Sequence, residues 1–332
     1  MKKSYLMFFT LFITLSCNLK KGNDNSSKKE NEVIKSTEIR VRDPFILADK
    51  KTQIYYLYAS IYNRTQDKSK GQGVEVYTSK DLKNWTAPEP VFQAPDGFWA
   101  TSHVWAPEVH QYKGKYYLFT TFTKSAPPDT IAKTLRGSQI LVSDHPSGPF
   151  KPFANSPHTS IDQMTLDGTL WVENGKPYMI YCHEWIQIKD GTINLVALKG
   201  DLSSVDGESQ VLFKASTAPW IKAHDNDNYV TDGCFLYKTK SNKLIMIWSS
   251  MGKDGYAIGT VVSESGSVKG PWTHNSNRLF KKDGGHGMIF KTFDGQLVIC
   301  LHQPNKSPDE RMQLYELKDL GDSLKLGEKL FH

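Results

Sequence analysis

The fold is decided by a stretch that reads Leu166-Asp167-Gly168-Thr169-Leu170-Trp171-Val172, then the turn Glu173-Asn174-Gly175-Lys176, then Pro177-Tyr178-Met179-Ile180-Tyr181. Both runs are short and rich in aromatic and aliphatic residues, which favours β-strands. An Asn-Gly turn between two such runs is typical of a β-hairpin, because both residues tolerate positive φ angles. The stretch therefore predicts two antiparallel strands that begin at an acidic residue.

The same unit occurs five times along the chain. Each copy has three clear strand runs separated by tight turns, and several copies end in an aromatic residue, as at Trp85, Phe150 and Trp272. No long segment shows the hydrophobic period of a helix. Five repeats of roughly 45–60 residues predict an all-β fold, a five-bladed β-propeller of four-stranded sheets. A β-sandwich is the structural alternative, but it leaves the repeated ending of Gly, Pro and an aromatic residue unexplained.

Three of the units begin with an acidic motif. The motifs are Arg42-Asp43-Pro44, Leu166-Asp167-Gly168 and Thr231-Asp232-Gly233. A carboxylate at the same place in several copies of one unit is expected to converge with the others on a common axis. Two or three converging carboxylates are what the cleavage of a glycosidic bond requires.

These motifs, in this order and spacing, resemble glycoside hydrolase family 43. The resemblance runs from about residue 38 to the end of the chain and rests on Val41–Phe45, Trp105–Val109, Leu166–Gly168, the acidic motif of the fourth unit, and Gly285-His286-Gly287. It implies an enzyme with a five-bladed propeller fold that hydrolyses glycosides with inversion of configuration at the anomeric carbon. The usual substrates of that family are α-L-arabinofuranosides and β-D-xylosides.

Two catalytic roles follow from the carboxylates together with the resemblance. An inverting glycosidase needs a base that activates water and an acid that protonates the leaving oxygen. Asp43 is the predicted general base, since Pro44 fixes the chain after it and Arg42 favours its ionised form. Asp167 resembles the family's third carboxylate, which orients the acid and tunes its pKa.

The general acid has two candidates. The family usually has Glu in the motif of the fourth unit, whereas this chain has Asp232, which is one methylene shorter. The second candidate is Glu184, which follows the second strand of its unit and should lie at the rim of the pocket. A neighbouring ring, Trp185, would raise the pKa of Glu184 by desolvation, as an acid catalyst needs. Both assignments stay open at this point.

The remaining pocket residues are predicted as sugar-binding groups. They are Trp105, Glu108, His183, Trp185, Trp248 and His286. The resemblance further implies that His286 lies near the axis, where it binds water or a structural calcium ion. No cofactor is required for the predicted chemistry.

The predicted function is that of an exo-acting glycoside hydrolase. It would cleave side chains of plant-type polysaccharides, or oligosaccharides, at α-L-arabinofuranosyl or β-D-xylosyl linkages. One alternative is a non-catalytic surface lipoprotein that binds glycans, which the Glu-to-Asp departure at Asp232 favours. Another is a glycosidase of the same fold that acts on galactan or an anhydrosugar.

The N-terminal segment indicates export. Residues 1–17 form a lipoprotein-type signal peptide, with Lys2 and Lys3 before a short apolar run that ends at Cys17. Residues 18–37 are predicted to be a polar, disordered tether, and residues 38–332 are predicted to form the propeller. The protein is predicted to lie in the periplasm or at the cell surface, held to the membrane only by its lipid anchor, and to be a monomer. The net charge of +6 comes without an interleaved basic and aromatic face, so nucleic acid is excluded as a partner.

Overall fold

The structure is a computed structural model that describes residue 1 and residues 33–67, 72–125 and 134–331. The predicted signal peptide, Cys17 and most of the tether lie outside the described residues and stay predictions. Among the residues described, no helix is both long enough and apolar enough to cross a membrane.

The first sheet contains six short antiparallel strands in the order β1-β5-β4-β3-β2, with β6 also paired to β4. Their bounds are β1 Ile34–Lys35, β2 Phe45–Asp49, β3 Ile54–Ser60, β4 Gly73–Ser79, β5 Asn84–Trp85 and β6 Glu89–Gln93. A short helix, α1, covers Ile61–Thr65. Two strands more than predicted are present because β5 and β6 pair with different ends of β4, and β1 adds to β5.

Four further sheets, each with four antiparallel strands in sequential order, follow along the described chain. The second sheet has β7 Val104–Tyr112, β8 Lys115–Ser125, β9 Thr134–Ser143 and β10 Lys151–Pro152; the third has β11 Thr165–Glu173, β12 Lys176–His183, β13 Thr192–Ala197 and β14 Gln210–Lys214. The fourth has β15 Asp232–Lys238, β16 Leu244–Gly252, β17 Gly255–Ser263 and β18 Trp272–His274; the fifth has β19 Gly285–Lys291, β20 Leu297–Gln303, β21 Arg311–Asp319 and β22 Leu324–Lys329. A helical turn, α2, covers Trp185–Ile188, and a 3-10 turn covers Ala215–Thr217.

The first strand of each repeat forms the inner wall of the molecule. The strands β2, β7, β11, β15 and β19 contact one another in sequence, and β19 contacts β2, which closes the ring. The later strands of each sheet lie progressively farther from the axis. The predicted five-bladed propeller is therefore confirmed, and the residues that open each repeat meet at one end of the axis.

The hairpin between β11 and β12 shows why the sequence pattern predicted the fold. Asn174 and Gly175 have φ angles of 51° and 76°, so both take the left-handed conformation that a tight two-residue turn needs. Glu173 pairs with Lys176 directly across that turn. This register places Leu166 opposite Cys182 at the axial end of the sheet, so the end of β12 lies beside the start of β11.

The N-terminal boundary of the propeller is earlier than predicted. Ile34 and Lys35 pair with Trp85 and Asn84, so they belong to the first sheet. The expectation that residues up to 37 are a disordered tether is wrong for these residues. The sequence 34–37 is polar enough to suggest a tether, but two residues suffice to add an edge strand when the backbone groups of a partner strand are free.

Candidate active site

A β-bulge lies at the start of four of the inner strands. In each case the inner strand advances by three residues between two pairing positions while its partner strand advances by two. The pairing positions on the inner strands are Trp105 and Glu108, Leu166 and Thr169, Asp232 and Phe235, and Gly285 and Met288. The residue after the first of each pair has a positive φ angle, and these residues are Ala106, Asp167, Gly233 and His286. A bulge bends the strand and redirects a side chain, which is why bulges are common beside active sites.

Asp43 holds the equivalent position before β2 in the first sheet, with a φ angle of 53°. Asp43, Asp167 and His286 are therefore three side chains directed by the same backbone feature in three blades. A non-glycine residue in this conformation costs roughly 1–3 kcal/mol and persists only where the surroundings hold it. We infer that the fold maintains this strain to direct these groups toward the axis.

Asp232 does not lie in the position predicted for it. The residue equivalent to Asp43 and Asp167 is Gly233, and Asp232 is one residue earlier, in the place of Trp105 and Leu166. Glycine fits at position 233 because a Cβ atom there would lie 2.8 Å from the imidazole of His286. The expectation of one carboxylate at the same place in three repeats is thus correct for two repeats and wrong for the fourth.

A cavity of about 320 Å³ opens at this end of the axis, and residues from all five blades line it. The lining residues are Arg42, Asp43, Trp105, Arg136, Leu166, Asp167, Glu184, Trp185, Ile186, Asp232, Tyr256 and His286. All four predicted catalytic carboxyl groups are among them. A larger surface cavity of about 410 Å³ lies along Asn275–Leu279 and Ser323–Leu326, but it contains none of the predicted site residues.

Asp43 is surrounded by positive and hydrogen-bonding groups. Its Oδ1 lies 3.2 Å from Nδ1 of His286, 3.3 Å from Nδ1 of His302 and 3.9 Å from Nε of Arg42. Burial by itself would raise the pKa of Asp43, but the attraction of His286, His302 and Arg42 outweighs burial and holds the pKa below its usual range. Asp43 is therefore ionised at neutral pH, as a general base must be.

Asp167 has the opposite protonation preference. Its Oδ2 accepts a hydrogen bond from the backbone N–H of Gly233 at 3.0 Å and lies 3.6 Å from Nδ1 of His286. Burial, together with the negative charges of Asp232 and Asp43, raises the pKa of Asp167 to about 8 against the opposing effect of His286. A carboxyl group that is protonated at neutral pH is unsuited to be the base, which agrees with the predicted supporting role.

His286 lies between these two carboxyl groups. Burial lowers its pKa, but the nearby Asp43, Asp167 and Asp232 overcome burial and raise the pKa above its usual value. Its backbone N–H donates a hydrogen bond to Oγ of Ser249 at 2.8 Å. The carboxyl groups around His286 therefore favour its charged form.

Glu184 has the properties of a general acid. It is the residue before α2, its side chain lines the cavity, and the residue as a whole is only 4% exposed. Its backbone N–H donates to the carbonyl oxygen of Met164 at 2.8 Å, and its Oε2 contacts Nη1 of Arg136. Burial raises the pKa of Glu184 to about 7, and Arg136 offsets only part of that rise. Glu184 can therefore carry a proton near neutral pH and release it into the cavity.

Asp232 is partly buried and is engaged with a neighbour. The hydroxyl of Tyr256 donates a hydrogen bond to its Oδ2 at 2.9 Å. Burial raises the pKa of Asp232, while His286 and the Tyr256 hydroxyl act in the opposite direction. Asp232 therefore lines the same cavity as Glu184 but is hydrogen-bonded within its own blade.

Three of the predicted sugar-binding residues line the cavity, namely Trp105, Trp185 and His286. Trp248 does not: it is 0% exposed and packs 5.1 Å from the ring of Trp220 in the core between the third and fourth sheets. The prediction of a sugar contact at Trp248 is wrong. The side chain of this central residue of β16 points into the hydrophobic core between the sheets.

Glu108 and His183 also lie outside the cavity lining, so the prediction that they contact sugar is not supported. Glu108 is buried and its Oε2 lies 2.9 Å from Nε2 of His110. His183 is hydrogen-bonded through Nε2 to Oε1 of Gln187 at 2.7 Å. Glu108 lies in the middle of β7 and His183 ends β12, and the side chains of both contact protein groups.

Sequence reasoning missed Arg136, Tyr256 and His302. They lie on β9, β17 and β20, which are second or third strands of their sheets, and none of them belongs to a motif at the start of a repeat. His302 reaches Asp43 because it pairs with Gly285 at the axial end of the fifth sheet. The guanidinium of Arg136 lies 4.5 Å from the ring centre of Trp105, a cation–π contact that fixes both groups. Only the pairing register, read at the axial end of each sheet, could have indicated these residues.

The sequence pattern of the glycosyl hydrolases family 43 matches residues 35–319. This chain belongs to that family. Among solved structures it is similar to an endo-arabinase from Bacteroides thetaiotaomicron VPI-5482, with 41% sequence identity and a TM-score of 0.76 over 86% of this chain and 96% of that chain. It is also similar in fold to a thermostable family-43 glycoside hydrolase, with 23% identity and a TM-score of 0.72 over 88% of this chain and 94% of that chain.

Two curated relatives of this family-43 chain match shorter segments. The extracellular endo-α-(1→5)-L-arabinanase 1 of Bacillus subtilis strain 168 is 27% identical over 150 residues, which are 40% of this chain and 43% of that protein. The extracellular exo-α-(1→5)-L-arabinofuranosidase ArbA of Cellvibrio japonicus Ueda107 is 32% identical over 110 residues, which are 30% of this chain and 28% of that protein. The chain thus aligns with less than half of the length of either relative.

The predicted calcium ion would need a set of protein ligands. Among the residues that the structure describes, no group of three or more His, Cys, Asp or Glu side chains is arranged to hold a metal ion. Nδ1 of His286, the predicted ligand, faces Asp43 and Asp167 instead. The calcium ion therefore stays a prediction.

Proposed function

We propose that this family-43 chain hydrolyses α-L-arabinofuranosyl linkages with inversion at the anomeric carbon. The observation that carries the proposal is the pair formed by Asp43 and Glu184 in one cavity, the first held ionised and the second with a pKa of about 7. An inverting glycosidase needs an ionised base and a protonated acid at the same pH. The 41% identity to a solved endo-arabinase supports arabinose as the sugar.

In the proposed reaction Asp43 removes a proton from water while the water oxygen attacks the anomeric carbon. The bond between that carbon and the glycosidic oxygen breaks, and Glu184 transfers its proton to the departing oxygen. Asp167 stays protonated, and together with His286 it holds Asp43 in place. Asp232 and Tyr256 offer hydrogen-bonding groups to the hydroxyls of the bound sugar. The reaction leaves Asp43 protonated and Glu184 ionised, and exchange with solvent restores both.

The proposal assigns the acid to Glu184 for two reasons. Asp232 is a shorter side chain whose Oδ2 accepts a hydrogen bond from Tyr256. Glu184 has one methylene more to reach the glycosidic oxygen, and burial raises its pKa to about 7 although Arg136 contacts its Oε2. In the sequence analysis, the shorter side chain at Asp232 favoured the alternative of a non-catalytic glycan-binding protein. An acid supplied by Glu184 removes that argument, so we propose an enzyme.

Exo action remains part of the proposal, and digestion of linear α-(1→5)-arabinan tests it together with the substrate. We expect one small sugar product from the earliest time points, with no ladder of intermediate lengths, when the products are separated by ion-exchange chromatography. A ladder would show endo action on the same sugar. Release of sugar from xylan or galactan but not from arabinan would contradict the substrate assignment.

The predicted export fits this substrate, because a polysaccharide is too large to enter the cell before cleavage. Both curated relatives are described as extracellular enzymes. We therefore propose that the protein acts outside the cytoplasm. The lipid anchor at Cys17 stays a prediction.

A further inference from the structure

The helical turn α2 follows the proposed acid without a spacer. Glu184 is its N-terminal cap, and the next two residues, Trp185 and Ile186, line the same cavity. Ile186 is 54% exposed, so its aliphatic side chain is open to contact at the mouth of the cavity. We call Trp185 and Ile186 the rim pair.

Hydrogen bonds hold the turn that carries the rim pair against the segment before β11. Gln187 accepts hydrogen bonds at Oε1 from the backbone N–H of Met164 at 2.8 Å and from His183 at 2.7 Å, and its Nε2 donates to the carbonyl of Asp162 at 2.8 Å. These bonds tie α2 to the segment that leads directly into β11, where Asp167 lies. The ring of Trp185 also packs 5.4 Å from that of His224.

The cavity therefore has two chemically different ends. The axial end is buried and polar, with Asp43, Asp167 and Asp232 around His286. The end beyond Glu184 is the apolar rim pair. A glycosidic oxygen protonated by Glu184 connects the sugar at the axial end to the leaving group. Because the rim pair directly follows Glu184 in the chain and lines the same cavity, it lies where it can contact that leaving group. Apolar and aromatic surfaces suit the C–H faces of sugar rings.

We propose that Trp185 and Ile186 bind the sugar residue on the leaving-group side of the cleaved bond, and so select chains of pentose units over small leaving groups. This inference rests on the proposed function, because it assumes that Glu184 is the acid. The leaving group that fits this surface is a second furanose ring that presents its C–H face to the rim pair. The rim pair thereby couples recognition of the leaving sugar to the position of the proton donor.

The test compares Ile186→Ser with a matched control, Leu320→Ser, which alters an equally exposed aliphatic side chain (55%) outside the cavity. The two substrates are α-(1→5)-L-arabinotriose and α-L-arabinofuranosyl fluoride, whose one-atom leaving group cannot reach the rim pair. We expect Ile186→Ser to lower kcat/KM for arabinotriose about tenfold, the size of effect typical of a lost apolar contact. For the fluoride it should change kcat/KM by less than about twofold.

Three outcomes decide the inference. Ile186→Leu should restore most of the activity on arabinotriose, and Leu320→Ser should match the unmodified protein on both substrates. Equal losses of Ile186→Ser on both substrates, or no loss on either, would overturn the role of the rim pair while leaving the proposed function intact. No turnover of either substrate by the unmodified protein would overturn the proposed function and the rim pair together.

Discussion

Asp43→Asn is expected to lower kcat for arabinan oligosaccharides by roughly 10²–10⁴-fold, the usual contribution of a general base. Asn has nearly the same shape as Asp but no negative charge, so it cannot accept the proton of the attacking water. The contacts with His286, His302 and Arg42 show that the fold is arranged to keep this carboxyl ionised. Steady-state kinetics at pH 6, with the unfolding midpoint measured alongside, checks the expectation.

Asp206→Asn is a suitable control for the Asp43 variant. Asp206 forms a surface ion pair with Lys176 at 3.6 Å, and its side chain is largely exposed. Surface pairs of this type contribute little to stability, about 0–1 kcal/mol, so this variant should keep full activity. An Asp43→Asn protein that is folded and retains most of its activity would remove Asp43 from the mechanism.

Glu184→Gln is expected to slow substrates with basic leaving groups far more than substrates with good ones. Hydrolysis of arabinotriose should fall by about 10²–10⁴-fold, because its departing oxygen needs a proton. Hydrolysis of a dinitrophenyl arabinofuranoside should fall much less, since a nitrophenolate departs without one. The measurement is the ratio of kcat/KM on the two substrates for the variant and for the unmodified protein.

The pH dependence of the same reaction has a defined sign. Glu184 must be protonated to act as an acid, and its pKa is about 7. Activity on arabinotriose should therefore fall as the pH rises through about 7. The low-pH decline should come only well below the usual range of a carboxyl group, because the pKa of Asp43 is lowered. Glu184→Gln should lose the decline near pH 7 on activated substrates.

Asp232→Asn separates the two candidate acids. If Glu184 is the donor, this variant should show a smaller loss that is the same for all leaving groups, as expected for a group that binds the sugar. If Asp232 is the donor, the leaving-group dependence appears in Asp232→Asn instead. Equal losses of both variants on every substrate would contradict both assignments.

The fold was predictable because its signals are local and repeated. The Asn174-Gly175 turn and the alternation of short aromatic runs specify hairpins, and five similar hairpin units leave few architectures. The start of the propeller was predicted too late in the chain, because β1 is only two residues long and its partner β5 is remote in sequence. A two-residue edge strand carries too little pattern to be distinguished from a polar linker.

The site was predictable where a side chain lies near the bulge of an inner strand, or, as for Glu184, directly after the strand that pairs with it. Asp43, Asp167 and His286 share that position, and their motifs stand out in the sequence. The position of Asp232 was predicted one residue away from where it lies. The bulge changes the pairing register of the strand, and the residue types of the motif do not reveal that change. The prediction for Trp248 was wrong because an aromatic residue on the second strand of a sheet can pack between two blades as well as against a sugar. Arg136, Tyr256 and His302 depend on pairing across strands, which one sequence does not display.

The central claim is that water attacks directly, with Asp43 as base and Glu184 as acid. The stereochemistry of the first-formed product tests this claim most directly. Proton NMR of an α-L-arabinofuranoside digest, recorded before the product equilibrates, should show the β-anomer of arabinose first. Initial appearance of the α-anomer would contradict the account, because retention requires a covalent glycosyl-enzyme intermediate and carboxyl groups only about 5–5.5 Å apart.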